Sequence, residues 1–316
     1  MRSIGQITSL RAHEFDAAAL EIFRFQAERC EPYRRYLSLM GFNADDVRRA
    51  SDIPHLPIEL FKTEKVYCGP SEPEKCFTSS TTGGGEASMH YMYRLSDYEA
   101  AFMAAYDRFY GAMPLYALLP CYLEREGSSL VYMADQIIAR YGGGFYLDDY
   151  DRLSDALAAD GRPKILLGVS YALWDMAERR PQKLADTIVM ETGGMKGRRR
   201  EMPKSKFHAL LCDAFGVGTV HSEYGMAELS SQAYSSGGGI FRTPQWMKVS
   251  VRDANDPLAA MPCGSRGGIN ITDLANRYSC AFIQTQDAGR VFADGTFELS
   301  GRLTGSDIRG CNLLVQ

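Results

Sequence analysis

Phe15, Ala18, Ala19, Ile22 and Phe23 recur at the three- and four-residue intervals that put side chains on one face of a helix, and Pro32 follows the run. The spacing predicts an amphipathic helix over residues 13–30. Ser96-Asp97-Tyr98-Glu99 has the form of a capping box, in which the Ser and Glu side chains satisfy the first free amides of a helix running to Gly111. "KILLGVS" (164–170) is a short unbroken apolar run suited to a buried strand, and "TIVM" (187–190) and "VGTVHSEYG" (217–225) read similarly. Between the last two lies "PKSKFHALLCDAFG" (203–216), a helix opened by Pro and closed by Gly. Strands alternating with helices predict an α/β fold with a mainly parallel sheet, whose ligands gather at the carboxyl ends of the strands. "GRVFADGTFELSGRL" (289–303) differs: Asp294-Gly295 predicts a tight turn between two short strands.

The 316 residues, 45% hydrophobic and 23% charged, suffice for one large α/β domain or two smaller ones. A net charge of −4 gives no electrostatic reason to expect nucleic acid or an anionic membrane as partner. The N-terminal "MRSIGQITSLRAHEFD" has no continuous apolar core of the kind a secretory signal needs, and no run long enough for a membrane span occurs, so a cytoplasmic protein is expected. Eight scattered cysteines contain no CxxC pair, which points to buried thiols rather than a disulfide framework or a zinc ribbon. His208 and Cys212 share a helix face, but no second ligand pair stands near them in sequence.

Candidate chemistry begins with "FTSSTTGGGEAS", Phe77 to Ser88. Five hydroxyls before three glycines are what a phosphate needs, because glycine lets backbone amides approach its oxygens; the stretch also suits a solvated loop. In "METGGMKGRRRE" (190–201), Gly193 and Gly194 could let a flat base lie against the backbone, while the basic run 196–200 reads as a solvated turn. In "HSEYGMAELSSQ" (221–232), Tyr224 offers a stacking face and Glu228 a carboxylate for a hard cation, magnesium being the natural one; alternatively Glu228 is a first-turn carboxylate of a helix starting at Gly225. "IQTQDAGRV" (283–291) places Asp287 just after a strand, where it could accept from a ribose diol or merely make a turn. Arg302 stands near a bend, and Cys311 follows in the closing "GSDIRGCNLLVQ".

The order of these segments resembles the adenylate-forming superfamily of acyl-CoA synthetases and related ligases. "TSSTTGG" matches that family's phosphate loop with Ser80 in place of a glycine. Within the superfamily, "TGGMKGRR", "SEYGMAELSSQAY" and "GSDIRGCNLL" look most like the acyl-protein synthetase (long-chain-fatty-acid:luciferin-component ligase) family of bacterial bioluminescence. The resemblance covers most of the chain, loosely before Cys76 and best from about Asp186. It implies the large N-terminal α/β domain of such ligases over residues 1–300, with a hinge-like tail over 301–316 and the small C-terminal domain largely absent.

By the same resemblance, Thr78, Ser79, Thr81, Thr82 and Gly83 grip the phosphates of ATP, Tyr224 stacks on adenine bordered by Gly193 and Gly194, and Asp287 binds the ribose. Glu228 holds magnesium, Arg302 assists at the hinge, and Gly168 to Trp174 lie where relatives build part of the acyl pocket. Cys311 resembles the cysteine that receives the acyl group, with Arg309 as its positive neighbour; it reads equally as a small apolar residue alternating with Leu313 and Val315. The implied activity is ATP-dependent activation of a carboxylic acid, of the fatty type, and its transfer to a thiol. That thiol is Cys311 or an external one on coenzyme A or a carrier protein, and a reductase or acyltransferase is the implied partner. A nucleotide- or acyl-binding module is the non-catalytic alternative. Two departures bear on it: Gly83 leads into Gly84, Gly85, Glu86 and Ala87 rather than the family's lysine, and the C-terminal domain that brings the catalytic lysine is not expected here.

Overall fold

A computed structural model describes residues 1–79, 86–120, 127–195, 198–200 and 202–303, so Thr81, Thr82, Gly83 and Cys311 lie outside the described residues. In chain order come α1 (Ile4–Thr8), α2 (Phe15–Arg29), α3 (Glu31–Leu39), β1 (Leu56–Pro57), α4 (Leu60–Thr63), β2 (Lys75–Thr78), β3 (Met89–Met92) and α5 (Leu95–Tyr110). The middle of the chain supplies β4 (Leu115–Leu118), α6 (Ser129–Tyr141), β5 (Gly143–Phe145), α7 (Tyr150–Ala159), β6 (Lys164–Val169), α8 (Ser170–Arg179), β7 (Thr187–Thr192) and α9 (Lys204–Phe215). The remaining strands are β8 (Val220–Tyr224), β9 (Ala233–Ser235), β10 (Ile240–Arg242), β11 (Met247–Arg252), β12 (Arg266–Asp273), β13 (Phe282–Val291) and β14 (Phe297–Arg302). The fold is α/β, as the alternation of strands and helices predicts.

Two compact units share these elements. The first comprises Met1–Arg108, Gly225–Gln232 and Thr243–Phe297, and the second Phe109–Tyr224, Ala233–Arg242 and Glu298–Gln316.

The second unit carries the parallel sheet. Its strands run in the order β14-β10-β9-β8-β7-β6-β4-β5, parallel from β5 through β8 and antiparallel where β8 meets β9 and β9 meets β10. Burial on both faces explains why β6 reads as a short apolar run: every residue of it, as of β4, is buried. Lys164 opens β6 almost fully buried, and its ammonium is satisfied by the carbonyls of Asp160 at 2.5 Å, Arg162 at 3.0 Å and Ala185 at 3.3 Å. Helix α9 begins after Pro203 and ends at Gly216, whose φ of 66° is the left-handed conformation glycine adopts without strain.

The first unit is antiparallel, whereas β6, β7 and β8, the strands behind the expectation of a mainly parallel sheet, lie in the second unit. Strands β11, β12 and β13 form a meander, and only the two-residue β1 joins β13 in parallel. Burial alternates along β13 from Ile283 to Val291, so that strand lacks the unbroken apolar run that marks a doubly covered strand. Helix α2 packs here through Phe23, edge-on to Phe282 at 6.0 Å, and through Gln26, which donates to the carbonyls of Asn276 and Arg277 and accepts from the Ala281 amide. Helix α5 starts at Leu95, one residue before the expected cap. Ser96 thus lies in the first turn, and the Glu74 carboxylate accepts from the Leu95 amide at 2.7 Å instead. The turn at Asp294-Gly295 forms as expected, with Gly295 at φ 81° and the Asp294 carboxylate accepting from the amide and hydroxyl of Thr296. No helix among the described residues is long and apolar enough to cross a membrane.

Candidate functional site

Two clusters collect the described candidate residues, one in each unit. In the second unit, β7 and β8 are neighbouring parallel strands in the register Glu191 to Ser222, so their carboxyl ends present Gly193-Gly194 and Tyr224 side by side. Gly193 turns the chain at φ 70°, and its carbonyl accepts from the Ser170 hydroxyl at 3.4 Å. The Tyr224 ring is buried edge-on to Phe241 with centroids 5.8 Å apart, and the Lys204 ammonium sits 5.0 Å from the centre of the Phe241 ring. Arg302 ends β14 of the same unit, half-buried.

Beneath this pair of strand ends lie two buried carboxyls with opposite electrostatics. Burial alone raises the Glu191 carboxyl, but the Lys204 ammonium at 2.7 Å and His208 beside it outweigh burial and hold it down at about 2. The Ser170 hydroxyl also donates to it, at 3.2 Å. Among the described residues Glu223 has no cation to match: burial pushes its carboxyl up to about 7, against the Thr192 hydroxyl that donates to it at 2.5 Å, and the charge on Glu191 adds to the rise. Glu191, Lys204 and Glu223 were not sequence candidates, because nothing local marks residues so far apart as partners. The basic run, read as solvated, is exposed at Arg198 and Arg200, although the Arg198 guanidinium lies 5.0 Å from the centre of the Tyr171 ring. Arg199 instead makes ion pairs with Asp175 and Glu178 and lies 4.9 Å from the Trp174 ring centre. Gly168 to Trp174 are buried throughout, at the end of β6 and the start of α8.

In the first unit, the hairpin β2–β3 positions Thr78 and Ser79. Thr78 ends β2 opposite Met89, and the ends of the hydroxyl-glycine stretch are pinned together: the Ser79 amide donates to the Ser88 carbonyl at 3.0 Å, and the Ser88 amide to the Ser79 hydroxyl at 2.9 Å. One residue pair back from Thr78, Phe77 faces His90, whose Nδ1 lies 2.7 Å from the carbonyl of Ala227. The hairpin and the segment Gly225–Gln232 are thereby brought together. No helix starts at Gly225; Glu228 lies in a turn in which the Leu229 amide donates to the Met226 carbonyl at 3.1 Å. The helical alternative fails because Asp273 captures the amides that a helix would use. Its buried carboxylate accepts from the amides of Ser230 and Ser231 at 2.9 Å each, the Ser231 hydroxyl at 2.7 Å and the Ala275 amide at 3.1 Å. Burial pushes that carboxyl up to about 6 despite these donors.

Glu228 is buried, at 3% exposure. Among the described residues no three His, Cys, Asp or Glu side chains gather as a metal cage. A single carboxylate fits magnesium that arrives on a nucleotide, since that ion takes one or two protein oxygens and completes its shell with phosphates and water.

Asp287 lies inside β13 rather than just after a strand, on the face it shares with Thr285 and Gly289, and the polar side chains on that face hide the strand's continuation. Between the pairs Gly268–Ala288 and Asn270–Gln284, β13 spends Thr285, Gln286 and Asp287 where β12 spends only Ile269. This bulge re-aims Asp287. Arg252 fills it: one guanidinium nitrogen donates to the Ile269 carbonyl at 2.8 Å and the Asn270 side chain at 2.9 Å, the other to the Thr285 carbonyl at 2.6 Å. The Thr285 hydroxyl donates to the Ile269 carbonyl and accepts from the Asp287 amide. A Cβ on Gly268 would meet the guanidinium carbon at 2.5 Å.

Neither a protein-family model nor a curated protein sequence matches the chain. Solved structures do. ATP-bound MatB from Rhodopseudomonas palustris is similar at 16% identity and a TM-score of 0.56, over 72% of this chain and 47% of that one. The chain thus spans about half the length of MatB. 2-Hydroxyisobutyryl-CoA ligase, solved in an open conformation with 2-HIB-AMP and CoA, gives a TM-score of 0.70 at 15% identity, over 97% of this chain and 79% of that one. In its thioesterification state the same ligase gives 0.69 at 16% identity, over 95% and 71%. The chain has the α/β fold of these proteins.

Proposed function

We propose that the protein activates a carboxylic acid with ATP and passes the acyl group to a thiol. The observation that carries this reading is the fold shared with ligases solved with ATP, an acyl-AMP and CoA, together with the order of candidate segments along it. In the first step a carboxylate oxygen attacks the α-phosphorus, an acyl-adenylate forms and pyrophosphate leaves. In the second a thiolate attacks the acyl carbon and AMP leaves. No protein nucleophile is needed for the first step, so catalysis comes from positioning and charge neutralisation.

In this reading Tyr224 stacks on adenine beside Gly193 and Gly194, Asp287 accepts from the ribose hydroxyls, and Thr78, Ser79, Thr81, Thr82 and Gly83 hold the phosphates. Glu228 holds magnesium, which neutralises phosphate charge. Arg302 serves as the hinge residue between an adenylate-forming domain over 1–300 and the tail over 301–316. The acid is fatty and the acceptor is Cys311, from which a cytoplasmic reductase or acyltransferase takes the acyl group. CoA or a carrier protein as external thiol is the second reading, favoured by the CoA bound in the 2-hydroxyisobutyryl-CoA ligase structures.

Intact-protein mass spectrometry after incubation with ATP, magnesium and a panel of carboxylic acids separates these readings. An acyl addition released by hydroxylamine and lost in Cys311→Ala supports self-acylation. AMP release that requires CoA and survives Cys311→Ala supports the external thiol. Absence of AMP, pyrophosphate and acyl addition under all conditions overturns the ligase in favour of a nucleotide- or acyl-binding module.

A further inference from the structure

Both peptide carbonyls at Glu228 are held by side chains from distant parts of the same unit. His90 Nδ1 is 2.7 Å from the Ala227 carbonyl, and Asn276 Nδ2 is 2.8 Å from the Glu228 carbonyl. A carbonyl only accepts, so His90 Nδ1 bears the proton. The ring is buried and neutral, leaving Nε2 as an acceptor for the Ser279 hydroxyl at 3.0 Å; that oxygen in turn accepts from the Cys280 amide at 2.6 Å. One tautomer therefore satisfies every group in the chain of bonds. Asn276 is equally committed. Its amide also donates to the Cys280 carbonyl at 3.3 Å, and its Oδ1 accepts from the Ser230 hydroxyl.

We propose that His90 and Asn276 are positioning residues that clamp the backbone on either side of the Glu228 side chain and so aim its carboxylate at a nucleotide-borne divalent cation. The inference rests on the reading of Glu228 as the magnesium ligand. Glu228 stands in a turn, which has no ladder of its own to fix a side-chain direction. A ligand carboxylate is only as well aimed as the peptide planes that carry it, and partners that orient a ligand typically govern 10- to 100-fold in metal affinity. Two donors on consecutive carbonyls, each buried and each fully used, fix those planes.

The test uses the full chain with a non-hydrolysable ATP analogue and manganese in place of magnesium, reading free Mn(II) by its electron paramagnetic resonance signal. Analogue affinity without metal is measured in parallel. His90→Leu removes the donor, whereas His90→Asn places an amide nitrogen near the Nδ1 position. The expected result is about a tenfold or greater loss of manganese affinity in His90→Leu, unchanged metal-free analogue affinity, and substantial recovery in His90→Asn. Should His90→Leu fail to fold, Asn276→Ser, which shortens the other clamp, is expected to show the same metal-specific loss. Glu228→Gln separates the two layers of inference. If it weakens manganese binding and the clamp variants do not, the positioning role falls alone. If it leaves manganese binding intact, both fall. An equal loss of metal-free nucleotide affinity in the clamp variants reduces their role to general structure and overturns the proposal.

Discussion

The Lys204 ammonium lies 2.7 Å from a Glu191 carboxylate whose side chain is only 3% exposed. The pair joins the start of α9 to the end of β7, beneath the Gly193-Gly194 turn. Removing one partner strands the other as an uncompensated buried charge, which costs about 3–5 kcal/mol in comparable sites, with the lower end expected because Lys204 retains some solvent contact. Lys204→Met is therefore expected to shift urea denaturation to markedly lower concentration. The double variant Lys204→Met with Glu191→Gln is expected to recover part of the loss, since the stranded charge is gone. Equal stability of Lys204→Met and the parent would show that the pair contributes nothing.

Glu223, one strand over, behaves in the opposite sense. Its carboxyl is raised from 4.5 to about 7, so the folded protein binds this proton more tightly than the unfolded chain does. The stabilisation linked to that proton is complete below about 4.5 and is lost as pH rises through about 7, on the order of 3 kcal/mol. Glu191, lowered to about 2, instead contributes stability above 4.5 that is lost as pH falls toward 2. Denaturation midpoints measured between pH 5 and 8 are expected to decline in the parent and to decline less steeply in Glu223→Gln, where Asp273, raised to about 6, still contributes below that pH. A decline of the same steepness in both proteins would assign the pH dependence to another group.

The bulge at Thr285–Asp287 ties stability to a candidate binding residue. Arg252 bonds two backbone carbonyls and the Asn270 side chain there, and lysine cannot reproduce that planar fork. Arg252→Lys is expected to cost about 2–4 kcal/mol by leaving buried acceptors unmet. Gly268→Ala drives a methyl into the same guanidinium and is expected to cost about 1–3 kcal/mol by overpacking. The decisive measurement is the double-mutant cycle: if Arg252 is what the methyl strikes, combining Gly268→Ala with Arg252→Ala costs less than the sum of the two. Strict additivity would place the clash elsewhere.

What the sequence revealed and what it hid follow from the range of the forces involved. Helix α2 and strands β6, β7 and β8 are written in local periodicity, because a single face or a doubly covered strand imposes its pattern residue by residue. The position of Tyr224, Gly193 and Gly194 at strand ends was readable for the same reason, while any role for them remains a proposal. The bulge at Asp287 was not: three polar residues continue the strand, and Arg252, more than thirty positions before Thr285, satisfies the Thr285 carbonyl. His90 reaches Ala227 across 137 positions, and Asp273 holds Ser230 and Ser231 from more than forty away. Such partners leave only an isolated polar letter in the sequence.

Tyr224 supplies the most direct probe of the nucleotide reading. Its ring is oriented by Phe241, edge-on at 5.8 Å, and lies on the strand next to the one that leads into Gly193-Gly194. If an adenine stacks on it, the face of the ring matters and the hydroxyl does not. Tyr224→Ala is then expected to weaken equilibrium binding of ATP about tenfold, matching the 1–2 kcal/mol that an aromatic face contributes to a stacked base, whereas Tyr224→Phe is expected to bind ATP as the parent does. Calorimetric titration of both variants checks this, with urea denaturation confirming that each remains folded. Unchanged affinity in a folded Tyr224→Ala would remove the adenine from these strand ends, and with it the assignment of Gly193 and Gly194 as its border.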